Sequence, residues 1–217
     1  MMKKTMTHTF YGQTAAVLLA LFGALMVMLL SVDVAPIGAA GSAVGLSTFN
    51  GAVFATVTPQ PFWDSVSDGL LAVALLMALG WALCGAVFLF KGRSLRAVPP
   101  QIMGLGVLYV LTVLLNVLFE GLFINGRPVL VEGVLEPGFP SSHVLAVGVI
   151  IGSTLLLLKG RVQPWLWRAL ALGAGLVLTL TVCGRLFSGM HWASDLLGAL
   201  LLAGALVALY GHWLACR

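Results

Sequence analysis

The chain alternates long apolar stretches with short segments that carry most of its polar and charged residues. A helix needs about 20 apolar residues to cross the hydrocarbon core of a bilayer. Stretches of about that length predict six transmembrane helices, near residues 14–34, 69–90, 102–124, 142–158, 168–187 and 192–214. These stretches lack the period-two alternation of a membrane β-barrel. The predicted fold is therefore an all-α, polytopic six-helix bundle, with residues 1–217 forming a single domain.

Composition agrees with a membrane protein. The chain is 60% hydrophobic and only 8% charged, whereas about a quarter of the residues in soluble domains are charged. The net charge of +4 would suggest nucleic acid only if the basic residues clustered on a soluble surface. They lie between apolar stretches instead, so the expected acidic partners are membrane lipids and no nucleic acid is expected. The separate positions of Cys84, Cys183 and Cys216 predict neither disulfides nor a zinc site.

The charged residues predict an orientation in the membrane. With a cytoplasmic N-terminus, which includes Lys3 and Lys4, the inner segments hold nine of the eleven basic residues and no acidic one. The positive-inside rule therefore predicts that both termini are cytoplasmic. Tryptophans near the predicted span ends are typical of interfacial aromatic residues; they are Trp165, Trp167, Trp192 and Trp213.

The first span and the segment after it leave alternatives open. The first apolar stretch is longer than the core of a cleavable signal, so we expect it to be retained, although the small residues at 38–43 also fit a cleavage site. Residues 35–68 form an outer loop with four aromatic residues. We expect short helices over the outer mouth with these aromatics at the lipid interface. A loop that only orders the chain between the first two spans explains the same composition.

Four basic or histidine side chains fall on the predicted outer side: Arg127, His143, Arg185 and His191. Taken singly, each could be a surface arginine or a hydrogen-bonded histidine. Together they indicate a functional site, because ionisable groups near membrane depth are costly. The two arginines suit phosphate oxygens, and no aspartate-rich cluster suggests magnesium. We therefore expect phosphoryl chemistry with no metal and no cofactor.

Two spacings carry the predicted chemistry. His191 and Asp195 are four residues apart, so on a helix the carboxylate could orient the ring as a nucleophile, or the pair could simply pin the helix. Ser141 and Ser142 open the fourth apolar stretch, where a helix N-terminus could bind phosphate close to His143. An ordinary N-cap followed by an interfacial histidine explains this second pattern equally well.

These segments resemble the type 2 phosphatidic acid phosphatase family, which includes bacterial lipid phosphatases and vanadium haloperoxidases. The family pattern is K-x6-R-P, then P-S-G-H, then S-R-x5-H-x3-D. This chain has E-x6-R-P from Glu120 to Pro128, P-S-S-H from Pro140 to His143, and G-R-x5-H-x3-D from Gly184 to Asp195. The resemblance covers about a third of the chain, in the same order and with the same spacing.

The resemblance implies a role for each matching residue. His191 would attack phosphorus and form a phosphohistidine, while Asp195 orients it. His143 would protonate the leaving oxygen and then activate water. The phosphoryl oxygens would be held by four residues: Arg127, Arg185, Ser141 and Ser142. The implied setting is the plasma (inner) membrane of a bacterium, with the site on the extracytoplasmic face.

Three residues depart from the family pattern. Gly184 replaces a serine and Ser142 replaces a glycine, and both changes look tolerable. Glu120 replaces a phosphate-binding lysine, and its carboxylate should repel a phosphate dianion unless it is protonated or paired. Glu120 could form a structural salt bridge with Arg127, or it could modulate which lipid headgroups are accepted.

Three functions remain open at this point. The leading one is hydrolysis of a lipid phosphate or pyrophosphate, with undecaprenyl pyrophosphate, phosphatidylglycerol phosphate and phosphatidic acid as candidate substrates. A phosphotransferase would pass the phosphoryl group to a lipid acceptor instead of water. A lipid-binding or transport pseudoenzyme would keep the fold without the reaction, and Glu120 is its best support.

Overall fold

The computed structural model describes the backbone of residues 2–217 and the side chains from residue 8 onward. This part of the chain forms seven α-helices and no sheet. The helices are α1 (Met2–Ser31), α2 (Ser47–Phe54), α3 (Pro61–Gly92), α4 (Pro100–Leu122), α5 (Ser142–Leu158), α6 (Pro164–Phe187) and α7 (Ala193–Cys216). The all-α prediction is confirmed. The side chains of Lys3 and Lys4 lie outside the described residues.

Five of these helices are long and apolar enough to cross a bilayer: α1 from His8 onward, α3, α4, α6 and α7. Helix α5 has 17 residues, a length of about 25 Å, and coincides with the predicted fourth span. Helices α3, α4 and α6 each begin with a proline, whose fixed φ and missing N–H suit the first helical turn. Helix α3 begins at Pro61, well before the predicted start at residue 69.

Helices α5 and α7 form the centre of the bundle. Helix α7 packs against α1 and α5, and α5 also contacts α3, α4 and α6. Small residues allow these helices to approach closely, since a side chain on Gly148 would meet Ala203 and one on Gly204 would meet Leu18. The outward faces of α3, α4 and α6 expose many large apolar side chains. Such a surface suits contact with lipid and fits a multi-pass membrane protein.

Successive long helices alternate in direction. The ends of α1, α4 and α6 therefore meet the starts of α3, α5 and α7, and we call this the site end. The outer loop lies here, and its helix α2 contacts α7. The opposite end, which we call the far end, holds the starts of α1, α4 and α6 and the ends of α3, α5 and α7. All four outer-side residues singled out in the sequence fall at the site end.

Candidate active site

His191 lies in the turn between α6 and α7 and is almost completely buried. Asp195, in the first turn of α7, places Oδ2 3.6 Å from Nδ1 of the His191 ring, slightly beyond hydrogen-bond distance. The carboxylate is fixed by two donors, the backbone N–H of Trp192 at 3.0 Å and the side-chain amide of Asn125 at 3.4 Å. The structure thus brings together the pair that the four-residue spacing suggests.

Arg185 approaches the other side of the His191 ring. It is buried in the last turn of α6, and its Nη2 lies 3.4 Å from Nε2 of His191. Its Nη1 forms an ion pair with Asp64 at 2.5 Å and lies 3.8 Å from Asp68. Both carboxylates come from the first turns of α3. They hold the guanidinium beside the histidine.

His143 projects from the first turn of α5. Its Nε2 lies 2.8 Å from Oδ1 of Asp68, so one carboxylate contacts both His143 and Arg185. Ser141 occupies the N-cap position of α5, but its hydroxyl makes no capping hydrogen bond. The residue is completely buried. The predicted cap is therefore correct in position, while its hydroxyl is left free for another partner.

Arg127 comes from the segment between α4 and α5. Glu136 pairs with its guanidinium at 3.1 Å, and the Pro137 carbonyl accepts from Nε at 3.4 Å. A small polar cavity of about 20 Å³ adjoins it. Residues from all three sequence motifs line this cavity: Glu120, Arg127, Pro140, Ser142 and His191.

Buried polar atoms without partners concentrate at this place. Among the side chains that the structure describes, five such atoms lack a hydrogen-bond partner. Ser42 carries one, and the other four belong to Ser141, His143, Arg185 and His191. An unsatisfied buried group costs about 1–3 kcal/mol, and native proteins keep few of them. Their concentration indicates a site that is built to bind a polar group.

The His191 ring is neutral at pH 7. Burial lowers its pKa well below the ordinary value of 6.5, and the positive charges of Arg185 and Arg127 lower it further. A neutral imidazole retains a lone pair on one nitrogen, which is the form that attacks as a nucleophile.

Residues 39–216 match the family described as the PAP2 superfamily. The chain belongs to this superfamily. The resemblance seen in the three motifs is therefore confirmed, and the match extends well beyond them, from the outer loop to the end of α7.

Two similar proteins illustrate the breadth of the likeness. The fold is similar to that of the first transmembrane PAP2-type phosphatidylglycerolphosphate phosphatase from Bacillus subtilis, with a TM-score of 0.53 and 18% identity over 97% of this chain and 94% of that one. Sphingosine-1-phosphate phosphatase 2 from Mus musculus is 36% identical over 83 residues, or 37% of this chain. The chain covers 23% of the mouse protein.

The structure gives a physical reason for one departure from the PAP2 pattern. A Cβ atom on Gly184 would lie 3.0 Å from Cβ of Ser67 and 3.0 Å from the carbonyl oxygen of Trp63. A serine at this position would therefore require α3 to move a few tenths of an ångström away from α6, which glycine avoids. The same close packing brings Asp64 to Arg185.

Glu120 does not form the salt bridge with Arg127 that one interpretation supposed. Arg127 forms its ion pair with Glu136, whereas Glu120 accepts a hydrogen bond from the amide of Asn116 at 3.2 Å. A salt bridge between Glu120 and Arg127 was thus the wrong interpretation. An exposed carboxylate remains at the edge of the cavity that His191 lines.

Several residues of the site escape sequence reasoning. Asp64 and Asp68 are four residues apart before an apolar run, which is the spacing of one helix face, yet they lie outside the three motifs. Asn125 joins Asp195 to the backbone of Gly45 in the outer loop. Trp192 is buried instead of interfacial, because its indole donates to the Gly126 carbonyl at 2.8 Å and packs on an aromatic ring of α2.

Proposed function

We propose that this protein is a membrane lipid phosphatase or pyrophosphatase that works through a phosphohistidine on His191. The observation that carries the proposal is the neutral, buried His191 with Arg185 at one ring nitrogen and Asp195 at the other. Membership of the PAP2 superfamily supports hydrolysis of lipid phosphates. Undecaprenyl pyrophosphate, phosphatidylglycerol phosphate and phosphatidic acid are the candidate substrates.

The reaction runs in two steps. Nε2 of His191 attacks phosphorus, the bond from phosphorus to the lipid oxygen breaks, and His143 gives its proton to that oxygen. Water then attacks the phosphorus of the phosphohistidine and passes a proton to His143, and the bond from phosphorus to Nε2 of His191 breaks. Inorganic phosphate leaves, and both histidines return to their starting forms. Asp195 stabilises positive charge on the His191 ring while the phosphorus–nitrogen bond exists.

Charge stabilisation comes from the protein itself. The guanidinium of Arg185 lies next to the attacking nitrogen, and Arg127 adjoins the same cavity. The N-terminus of α5 adds backbone N–H groups and the free hydroxyl of Ser141. Phosphoryl transfer depends mainly on positioning and charge neutralisation, which these groups supply without a metal ion.

The position of the site within the bundle supports a lipid substrate and an outward orientation. The far end carries a band of basic residues, including Lys91, Arg93 and Lys159, as expected for the cytoplasmic side. The site end would then be extracytoplasmic. An apolar cavity of about 310 Å³ between α3, α5 and α6 starts at Leu70, close to Asp68, and could accept a hydrocarbon chain.

A phosphate-release assay on the purified, detergent-solubilised chain tests this function. The panel should contain the three candidate lipids and a soluble phosphate ester, and we expect release from at least one lipid in preference to the soluble ester. Transfer of the phosphoryl group to an added lipid alcohol, instead of to water, would identify a phosphotransferase. No release and no transfer from any member of the panel would support the lipid-binding pseudoenzyme instead.

Asp68→Asn should lower kcat by about tenfold, a fraction of the 10²–10⁴-fold that a general acid–base contributes. The amide would still contact His143 but would no longer stabilise its protonated form or add charge beside Arg185. The control is Asp33→Asn, since Asp33 lies at the same end of the molecule but binds Ser47 and Thr48. Equal kcat for Asp68→Asn and wild type would show that Asp68 does not assist His143.

Glu120→Lys should lower KM for a diphosphate lipid by about tenfold, equivalent to about 1.4 kcal/mol. The reason is that the change replaces a repelling charge at the cavity edge with an attracting one. The matched control is Glu132→Lys, because Glu132 is exposed in the segment between α4 and α5 and does not line the cavity. If both hydrolysis and the preference between monophosphate and diphosphate lipids stay unchanged, Glu120 does not modulate which headgroups are accepted.

A further inference from the structure

The far end of the bundle holds a cluster of metal-ligand side chains that the proposed reaction does not use. His8 in α1 and His212 and Cys216 in α7 each offer one ligand atom, and these three atoms lie within 4.8 Å of one another. Helices α1 and α7 pack along each other. The three side chains therefore come from two elements that are already held together.

A backbone contact fixes the tautomer of the His212 ring. Its Nδ1 lies 3.0 Å from the backbone carbonyl oxygen of His8. A carbonyl can only accept, so Nδ1 carries the hydrogen and Nε2 keeps its lone pair free. Metal-binding histidines commonly donate their other ring N–H to a carbonyl in this way, which fixes the tautomer. Gly12 makes the approach possible, because a Cβ there would lie 3.0 Å from Nδ1 of His212.

The spacing and chemistry of the cluster favour zinc. His212 and Cys216 are four residues apart in α7, so they lie on the same helix face. Zinc takes imidazole nitrogen and thiolate sulfur at bond lengths of about 2.1 and 2.3 Å, which separates neighbouring ligands by about 3.5 Å. Cys216 is exposed, so its side chain can rotate towards the two rings, whose centroids are 3.8 Å apart.

We propose that His8, His212 and Cys216 bind a zinc ion that fastens the start of α1 to the end of α7. Water would complete the tetrahedron around the ion, and its role would be structural, because the cluster lies at the opposite end of the bundle from His191. The sequence pattern predicts no metal site, since the cysteines are far apart. That prediction overlooked His212 close to Cys216, and no local spacing links either residue to His8. The proposal does not depend on the proposed phosphatase function.

Cobalt(II) is a suitable probe, since it replaces zinc in such sites and its spectrum reports a thiolate ligand. The full chain is purified in detergent, its affinity tag is removed, and Co²⁺ is titrated in. We expect saturable binding with a sulfur-to-cobalt charge-transfer band that Zn²⁺ displaces, and a higher Tm with Zn²⁺. Cys216→Ser should abolish the band, and His212→Ala should weaken Zn²⁺ binding at least about tenfold.

Two control variants test whether the metal ion binds at this cluster or elsewhere in the protein. Cys183→Ser removes a cysteine in α6 and should leave the band unchanged, as should His191→Ala. At temperatures below the Tm of Cys216→Ser, this variant should release phosphate at the same rate as wild type. Absence of the charge-transfer band in wild type, unchanged Zn²⁺ affinity in Cys216→Ser and His212→Ala, or loss of the band in His191→Ala would each overturn the proposal.

Discussion

His191→Ala should abolish phosphate release, with a loss on the order of 10⁴-fold or more, as expected when a covalent nucleophile is removed. The remaining groups could still bind the phosphate, because Arg127, Arg185 and the start of α5 are unchanged. Without the imidazole, however, no covalent intermediate can form and water must attack directly. KM should therefore change much less than kcat.

The phosphoenzyme itself provides a second measurement. Brief exposure of wild type to a ³²P-labelled lipid phosphate, followed by alkaline quenching, should leave label on the protein that acid removes, as is typical of phosphohistidine. His191→Ala should carry no label, whereas His8→Ala, a histidine change at the far end, should carry as much as wild type. Label retained by His191→Ala would place the covalent bond on another residue. Release retained with no label in wild type would instead indicate direct attack by water.

The helices follow from the sequence because burial in lipid requires long apolar runs, and these are visible without tertiary structure. The sequence predicts the ends of the helices less accurately. Helix α3 begins at Pro61 instead of residue 69, because its first turns carry polar residues that a hydropathy pattern assigns to the outer loop. Those turns contain Asp64 and Asp68. The misplaced boundary is therefore also the reason that both carboxylates were missed as site residues.

The site residues also differ in how far the sequence predicts them. Arg127, His143, Arg185 and His191 could be predicted because they lie in three short motifs. Their partners could not, since Asn125 contacts Asp195 only through the packing of separate segments. Trp192 resembles an interfacial residue in sequence, but burial and its hydrogen bond to Gly126 decide its position. The choice of ion-pair partner likewise depends on tertiary structure, because Arg127 pairs with Glu136 and not with Glu120.

His143→Gln should lower kcat on a lipid phosphate by about 10²- to 10⁴-fold, the usual contribution of a general acid–base. His143 has two tasks in the proposed reaction, and the leaving group separates them. A lipid alcohol needs a proton as it departs, so the variant should be blocked at formation of the phosphohistidine. A nitrophenolate departs without that proton, so with p-nitrophenyl phosphate the first step should survive while attack by water stays slow.

The expected result with p-nitrophenyl phosphate is a burst of nitrophenolate followed by a slow steady rate, with phosphohistidine accumulating on His191. Wild type should accumulate less phosphohistidine than the variant, because His143 activates water in the second step. Asp68→Asn should fall between the two, since its amide keeps contact with His143 but cannot favour the protonated ring. Equal slowing of His143→Gln on both substrates, with no burst, would mean that His143 positions the phosphate and does not transfer protons.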